Sequence, residues 1–114
     1  MSLKYTRGFR PLERYRHFQK HVLIDGDFPC ATPEEYEEWA DEFCGKDLTP
    51  EIRVYHRKYG HKRGDVVRWD TVTNEYAVLS SDGHISTYFK VAYAFGTNEE
   101  YFAKEQIKDE ARKP

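Results

Sequence analysis

The sequence contains no apolar run approaching the roughly 20 residues that cross a bilayer, and its start, MSLKYTRGFR, lacks the apolar stretch of a signal peptide. No membrane partner is expected, and any export would come from a larger polypeptide. Cysteine is scarce, with Cys30 and Cys44 the only two. They flank a segment that reads as helix, and a rise of about 1.5 Å per residue holds their Cα atoms beyond the roughly 7 Å limit for a disulfide. Both are expected to stay reduced. Metal-ligand spacing is also lacking: His17 and His21 stand four apart, but no Glu follows His17 and no third ligand is evident. Neither a metal nor any other cofactor is expected. Internal repeats, low-complexity tracts and linkers are absent, so the 114 residues read as one domain, its core from about residue 11 to 111.

Net positive charge is missing as well. The formal charge is −2, which by itself argues against a nucleic-acid partner, but the charges are segregated. Lys4, Arg7, Arg10, Arg14, Arg16 and Lys20 face only Glu13 along the N-terminal segment. Arg53, Arg57, Lys58, Lys62, Arg63 and Arg68 face only Asp65 later on. Between them, Asp25 to Glu51 is acidic, with Lys46 the sole base. If the basic segments meet in space, a phosphate-binding face can coexist with an acidic back. What the chain has in quantity is aromatic area: nine Tyr, seven Phe and two Trp can supply a core.

Pro11 suits a first helical turn, and Leu12, Tyr15 and Val22 follow at roughly helical spacing, which predicts a helix over 11–22. Arg14, His17 and His21 make a basic stripe down it. Thr32, Pro33 and Glu35 form the N-cap, first position and third position of a second helix with a capping box. Tyr36, Trp39, Ala40 and Phe43 are its apolar stripe, and Gly45 is its stop. From Ile52 the texture turns β-branched and aromatic, predicting strands at 52–58, 65–70, 75–80 and 84–91. Their short connections predict an antiparallel meander. Residues 98–111 read as a closing helix capped by Thr97, with Glu100 three residues on. The fold class is therefore α+β.

Strand alternation puts His84, Ser86, Tyr88 and Lys90 on one face of the last strand and Ile85, Thr87, Phe89 and Val91 on the other. If the polar face meets the Arg68 side of its neighbour, Arg68, Ser86, Tyr88 and Lys90 line a concave surface, with His17 or His21 at the edge. Cleavage of RNA by its own 2′-OH needs a base, an acid for the leaving 5′-oxygen, and donors or cations for the phosphorane. Histidine supplies the first two at neutral pH. Arg68 and Lys90 suit the phosphate, and Tyr88 or a Ser or Thr hydroxyl can donate to its oxygens. Arg14, His17, Lys62, Arg63 and Ser86 are candidate substrate contacts.

The ordered segments Lys20-His21, Thr32-Pro33-Glu34-Glu35-Tyr36, Gly64-Asp65-Val66-Val67-Arg68-Trp69-Asp70, Thr73-Asn74-Glu75-Tyr76-Ala77-Val78-Leu79, Asp82-Gly83, Thr87-Tyr88-Phe89-Lys90 and Thr97-Asn98-Glu99-Glu100-Tyr101-Phe102 resemble a bacterial polymorphic-toxin and phage-associated nuclease family. The resemblance spans about residues 15–103, and its most specific parts are Gly-Asp-x-Val-Arg and Thr-Tyr-Phe-Lys. It implies the barnase/EndoU/colicin/RelE-like fold, with RNA, often tRNA, as substrate. It implies catalytic roles for His21, Arg68, Thr87, Tyr88 and Lys90. It also implies a toxin delivered into a target cell's cytosol within a larger secreted protein and neutralised by a cognate immunity or antitoxin protein. The chain departs from the family after His21, where Val22-Leu23-Ile24-Asp25-Gly26-Asp27 replaces a Gly-rich stretch, and His17 remains an alternative to His21. Alternation also sets Thr87 and Tyr88 on opposite faces, unless the strand bulges there.

Together these features predict a metal-independent endoribonuclease that leaves a 2′,3′-cyclic phosphate. The alternative from a different class is a non-catalytic module that binds RNA or protein; activity on purified RNA in EDTA separates the two.

Overall fold

The computed structural model describes residues 3–91 and 98–114. Helix α1 (Glu13–Phe18) runs directly into a wider π turn over Gln19–Ile24, followed by α2 (Pro33–Gly45). Four strands come next, β1 (Ile52–His56), β2 (Val66–Asp70), β3 (Glu75–Leu79) and β4 (Ile85–Lys90), then α3 (Asn98–Ala111). A short 3-10 turn, Gly60–Lys62, lies between β1 and β2. The architecture is α+β, and the strands form one antiparallel meander in the order β1-β2-β3-β4. Among the described residues, no helix is long and apolar enough to cross a membrane.

Local chemistry explains the boundaries. The Thr32 side chain accepts from the Glu35 N–H at 3.1 Å, and the Glu35 carboxylate accepts in return from the N–H of Ala31, one residue before the cap. Gly45 closes α2 as expected, and it does so through packing. Its φ is not positive, and a Cβ there would fall 2.0 Å from the Tyr5 ring, so glycine lets the N-terminal arm pack against the helix end. The turn between β2 and β3 is held by Asp70, which accepts from the N–H groups of Val72 and Thr73, and by Asn74 at φ 66°. The proposed Thr97 cap lies outside the described residues.

The sheet is covered on both faces. Ala77, Ile85 and Tyr88 pack against Phe18 and Val22 of the first helical segment, Tyr36, Ala40 and Phe43 of α2, and Phe9 and Phe28. On the other face Val67, Trp69, Tyr76, Val78 and Val91 pack with Phe102 of α3. The core reaches back to Phe9, earlier than expected, because the N-terminal arm is clamped: Asp41 of α2 accepts from the N–H groups of Lys4, Tyr5 and Thr6 and from the Thr6 hydroxyl. Burial alone would raise the Asp41 pKa; these four bonds outweigh it and hold the carboxyl below its ordinary value. Phe9 then bridges to Ile85 in parallel.

Two expectations fail here, both in β4. The face of this strand read as a solvated polar surface is a core face, because α2 lies across it. A β-bulge also breaks the alternation: Leu79 pairs with Ile85 but Val78 pairs with Thr87, so Ser86 is an extra residue and Ile85 shares a face with Tyr88.

Candidate active site

Phe18 and Val22, four apart, bury the first helical segment against the sheet. His17 and His21, each one position earlier, are thereby turned to the edge of the buried face. Leu12 and Tyr15, expected as the apolar stripe, remain exposed. The rings make a column in which Phe9 stacks on His17 at 5.2 Å between centroids, His17 lies 5.6 Å from His21, and His21 stacks on Phe89 at 5.2 Å.

This column borders a cavity of ≈ 610 Å³. Lys20, Asp25 and Asp27 line it from the helical side, Thr87, Phe89 and Lys90 from β4, and Tyr101 from α3. The π turn sets the carboxylates. The Asp25 N–H donates to the Lys20 carbonyl at 2.9 Å, and the Asp27 N–H to the His21 carbonyl at 2.8 Å. Such widened turns recur at functional sites. Gly26, at φ 69°, reverses the chain so that Asp27 returns beside His21. The Asp25 and Asp27 carboxylates come within 3.5 and 3.9 Å of His21 Nδ1, and Asp27 also accepts from the Lys90 N–H at 3.1 Å.

Burial dominates the electrostatics. It pushes the pKa of His17 below the ordinary value, with nearby His21 adding to the shift and Glu13 opposing it. It pushes His21 down as well, against the attraction of Asp25. Burial raises the Asp27 carboxyl, opposed by the Lys90 N–H. The site therefore holds two imidazoles biased toward the neutral form, in a cavity that Lys20 and Lys90 also line.

Of the residues singled out from the sequence, His17, His21, Thr87 and Lys90 line this cavity together. The choice between Ser86 and Thr87 is decided by the bulge: Thr87 lines the cavity and Ser86 is the exposed extra residue. Tyr88 does not join them. It is 1% exposed, stacks on Phe28 at 4.4 Å, and donates its hydroxyl to Glu75 away from the histidines. Arg68 does not join them either; its guanidinium donates to the Phe43 and Lys46 carbonyls, both at 2.8 Å, and so caps the C-terminus of α2. Arg14 pairs with Glu34 and Glu37 at 3.3 Å, and Lys62 and Arg63 sit at the turn between β1 and β2. Of the second basic run, Arg57 is spent inside the fold, where it bridges Asp65 at 3.1 Å and Glu105 at 2.5 Å.

Sequence pattern does not mark Lys20, Asp25, Asp27, Phe9 or Phe89 as site residues. Asp25-Gly26-Asp27 is visible as a turn, but only the π turn and the left-handed glycine aim its carboxylates at His21. Nothing in the spacing marks Phe9 or Phe89 as the rings that sandwich the histidines. No family model matches the chain, and no curated protein matches it significantly in sequence.

Proposed function

We propose that the chain is a metal-independent endoribonuclease that attacks a phosphodiester with the neighbouring 2′-OH and leaves a 2′,3′-cyclic phosphate. The observation that carries this reading is the pair of histidines 5.6 Å apart, opening on one cavity with Lys20, Thr87 and Lys90. One neutral imidazole takes the 2′-OH proton while the other, protonated once the phosphate's charge is beside it, delivers a proton to the 5′-oxygen. Asp25 and Asp27 beside Nδ1 favour a proton on that nitrogen and leave Nε2 of His21 as the base. The Lys20 and Lys90 ammonium groups and the Thr87 hydroxyl meet the growing charge on the phosphorane. Arg68 and Tyr88 are support, not chemistry.

The resemblance to polymorphic-toxin nucleases supports RNA, tRNA among the candidates, as the substrate. It also supports a toxin delivered to a target cytosol and held in check by a cognate immunity protein. A second reading, a non-catalytic RNA- or protein-binding module, is favoured by the near-closure of His21, whose side chain is 9% exposed. Incubation with a labelled RNA in EDTA separates the two. Cyclic phosphate ends, and their loss when the 2′-OH at the cut is replaced by hydrogen, are expected of the nuclease; intact RNA across a panel that includes tRNA refutes it.

A further inference from the structure

Nδ1 of His21 is buried and has no hydrogen-bond partner, although it is the atom that faces the two carboxylates. A buried imidazole nitrogen without a partner carries a desolvation cost that folded proteins generally avoid. The ligand atoms of His21, Asp25 and Asp27 all lie within 4.8 Å of one another. The Nδ1 distance to Asp25 is 3.5 Å and to Asp27 3.9 Å. Ligands about 2.1 Å from a zinc ion stand about 3.4 Å apart at the corners of a tetrahedron. The three side chains thus leave one corner of that figure open for a water and need little movement to close on an ion. Their placement is set by backbone already in position: the π turn carries Asp25, and left-handed Gly26 returns Asp27.

We infer that His21 Nδ1, Asp25 and Asp27 form a binding site for a divalent transition ion of the zinc class, and that its occupancy opposes RNA cleavage. One nitrogen and two carboxylate oxygens suit Zn²⁺ or Co²⁺ far better than Mg²⁺, which favours an all-oxygen octahedron and keeps its waters. The antagonism rests on the proposed nuclease chemistry. An imidazole bound to a metal through Nδ1 carries its remaining proton on Nε2, so that nitrogen can no longer accept one from the 2′-OH. The ion also draws Asp25 and Asp27 into coordination, away from the role of fixing the His21 tautomer. His17, four residues before His21, is not part of the site: the partners of His21 lie after it, across the turn.

The test measures binding and cleavage separately on the full chain. Calorimetric titration with Zn²⁺ alone, without RNA, is expected to give one ion per chain, and Co²⁺ to give the absorption of a low-symmetry tetrahedral centre, with Mg²⁺ not competing. The double substitution Asp25→Asn, Asp27→Asn keeps the shapes of both side chains and should weaken Zn²⁺ at least about tenfold, the scale on which even outer-shell groups act. His17→Gln should leave binding intact. Absence of Zn²⁺ binding, or binding undiminished in the Asn double variant with circular dichroism unchanged, overturns the site without touching the nuclease reading. In the cleavage assay, Zn²⁺ should suppress the wild type at concentrations that track its binding, and should suppress the double variant less, each relative to its own zinc-free rate. Stimulation by Zn²⁺ overturns the antagonism. A protein that binds Zn²⁺ but cuts no RNA with or without it retains the metal site and loses the nuclease reading and the antagonism with it.

Discussion

His17 and His21 are neighbours whose charged forms burial disfavours, and the charge of His21 further lowers the affinity of His17 for a proton. Both therefore titrate below the ordinary histidine range, chiefly through burial, and His17 is harder to protonate once His21 is charged. For a reaction that needs one base and one acid, kcat/KM should follow a bell in pH whose two limbs are their pKa values, both below the ordinary histidine value of about 6.5. His21→Ala should cost about 10² to 10⁴ in rate, and the bell should collapse to one limb or vanish. A maximum above neutral pH would refute the pairing. The same shifts bear on stability. The unfolded chain takes up protons at about pH 6.5 while the folded histidines wait for a lower pH, so stability is full above that value and is lost as pH falls through the folded pKa values. The melting temperature should drop across that window, and His17→Gln with His21→Gln should flatten the drop; an unchanged slope would show that neither histidine is shifted. The types of these residues were legible in the sequence, and so was their spacing. Their depressed pKa values were not, because the burial that causes them comes in part from Phe9 of the folded-back N-terminal arm and from Phe89 of β4, far along the chain.

Strand β4 and helix α2 decide which polar residues reach the histidine cavity and which are buried in the core. Period-two alternation assigns Tyr88 to an open face, but α2 covers that face, and the extra residue at Ser86 sets Ile85 beside Tyr88 in the core. Burial drives its phenol far above the ordinary tyrosine range, as does its carboxylate partner Glu75, so it stays protonated and serves as a donor. Tyr88→Phe should lower stability by about 1 kcal/mol, the worth of a hydrogen bond, and leave cleavage unchanged. Arg68→Ala uncaps α2 at two carbonyls and should cost about 1–2 kcal/mol, again with cleavage intact. Denaturant melts beside initial rates check both, and a large rate loss in either variant at full stability would return that residue to the active site. Cys30, before α2, and Cys44, in its last turn, are both free, as their separation along a helix implied. Burial pushes the Cys30 thiol up to about 11 and the Cys44 thiol up to about 12. Alkylation of the native protein at about pH 8, below the ordinary thiol value, should therefore be slow, and denaturant should speed it; rapid modification of the folded chain would contradict their burial. The helices, the meander and most strand ends followed from caps, turns and periodicity. The bulge did not, because Ile-Ser-Thr-Tyr-Phe-Lys alternates as well as any regular strand.

At the scale of the whole molecule, the proposed RNA substrate requires a chain of formal charge −2 to keep positive potential at one place. The two basic segments do not simply merge into a groove. Arg57 is locked between Asp65 and Glu105, Arg14 between Glu34 and Glu37, Arg10 against Asp82, and Arg53 against Glu99. Each of these guanidinium groups already has a carboxylate, and a phosphate would have to displace it. Lys20 and Lys90 enter no ion pair among the described residues, yet they flank the histidine cavity, where low-dielectric walls strengthen their field. Binding should thus depend on few cations, and the salt dependence should report them. Removing one cation that neutralises a phosphate lowers the slope of log affinity against log salt by about 0.7 for a single strand. Lys20→Gln and Lys90→Gln should each remove about one such step, and the double variant about two, measured with a non-cleavable 2′-deoxy oligonucleotide. Lys62→Gln and Arg63→Gln, at the turn between β1 and β2, should leave the slope near the wild-type value. If the turn variants carry the slope and the cavity lysines do not, the nucleic acid lies across the β1–β2 end of the sheet, and the histidine cavity is not where it is cut.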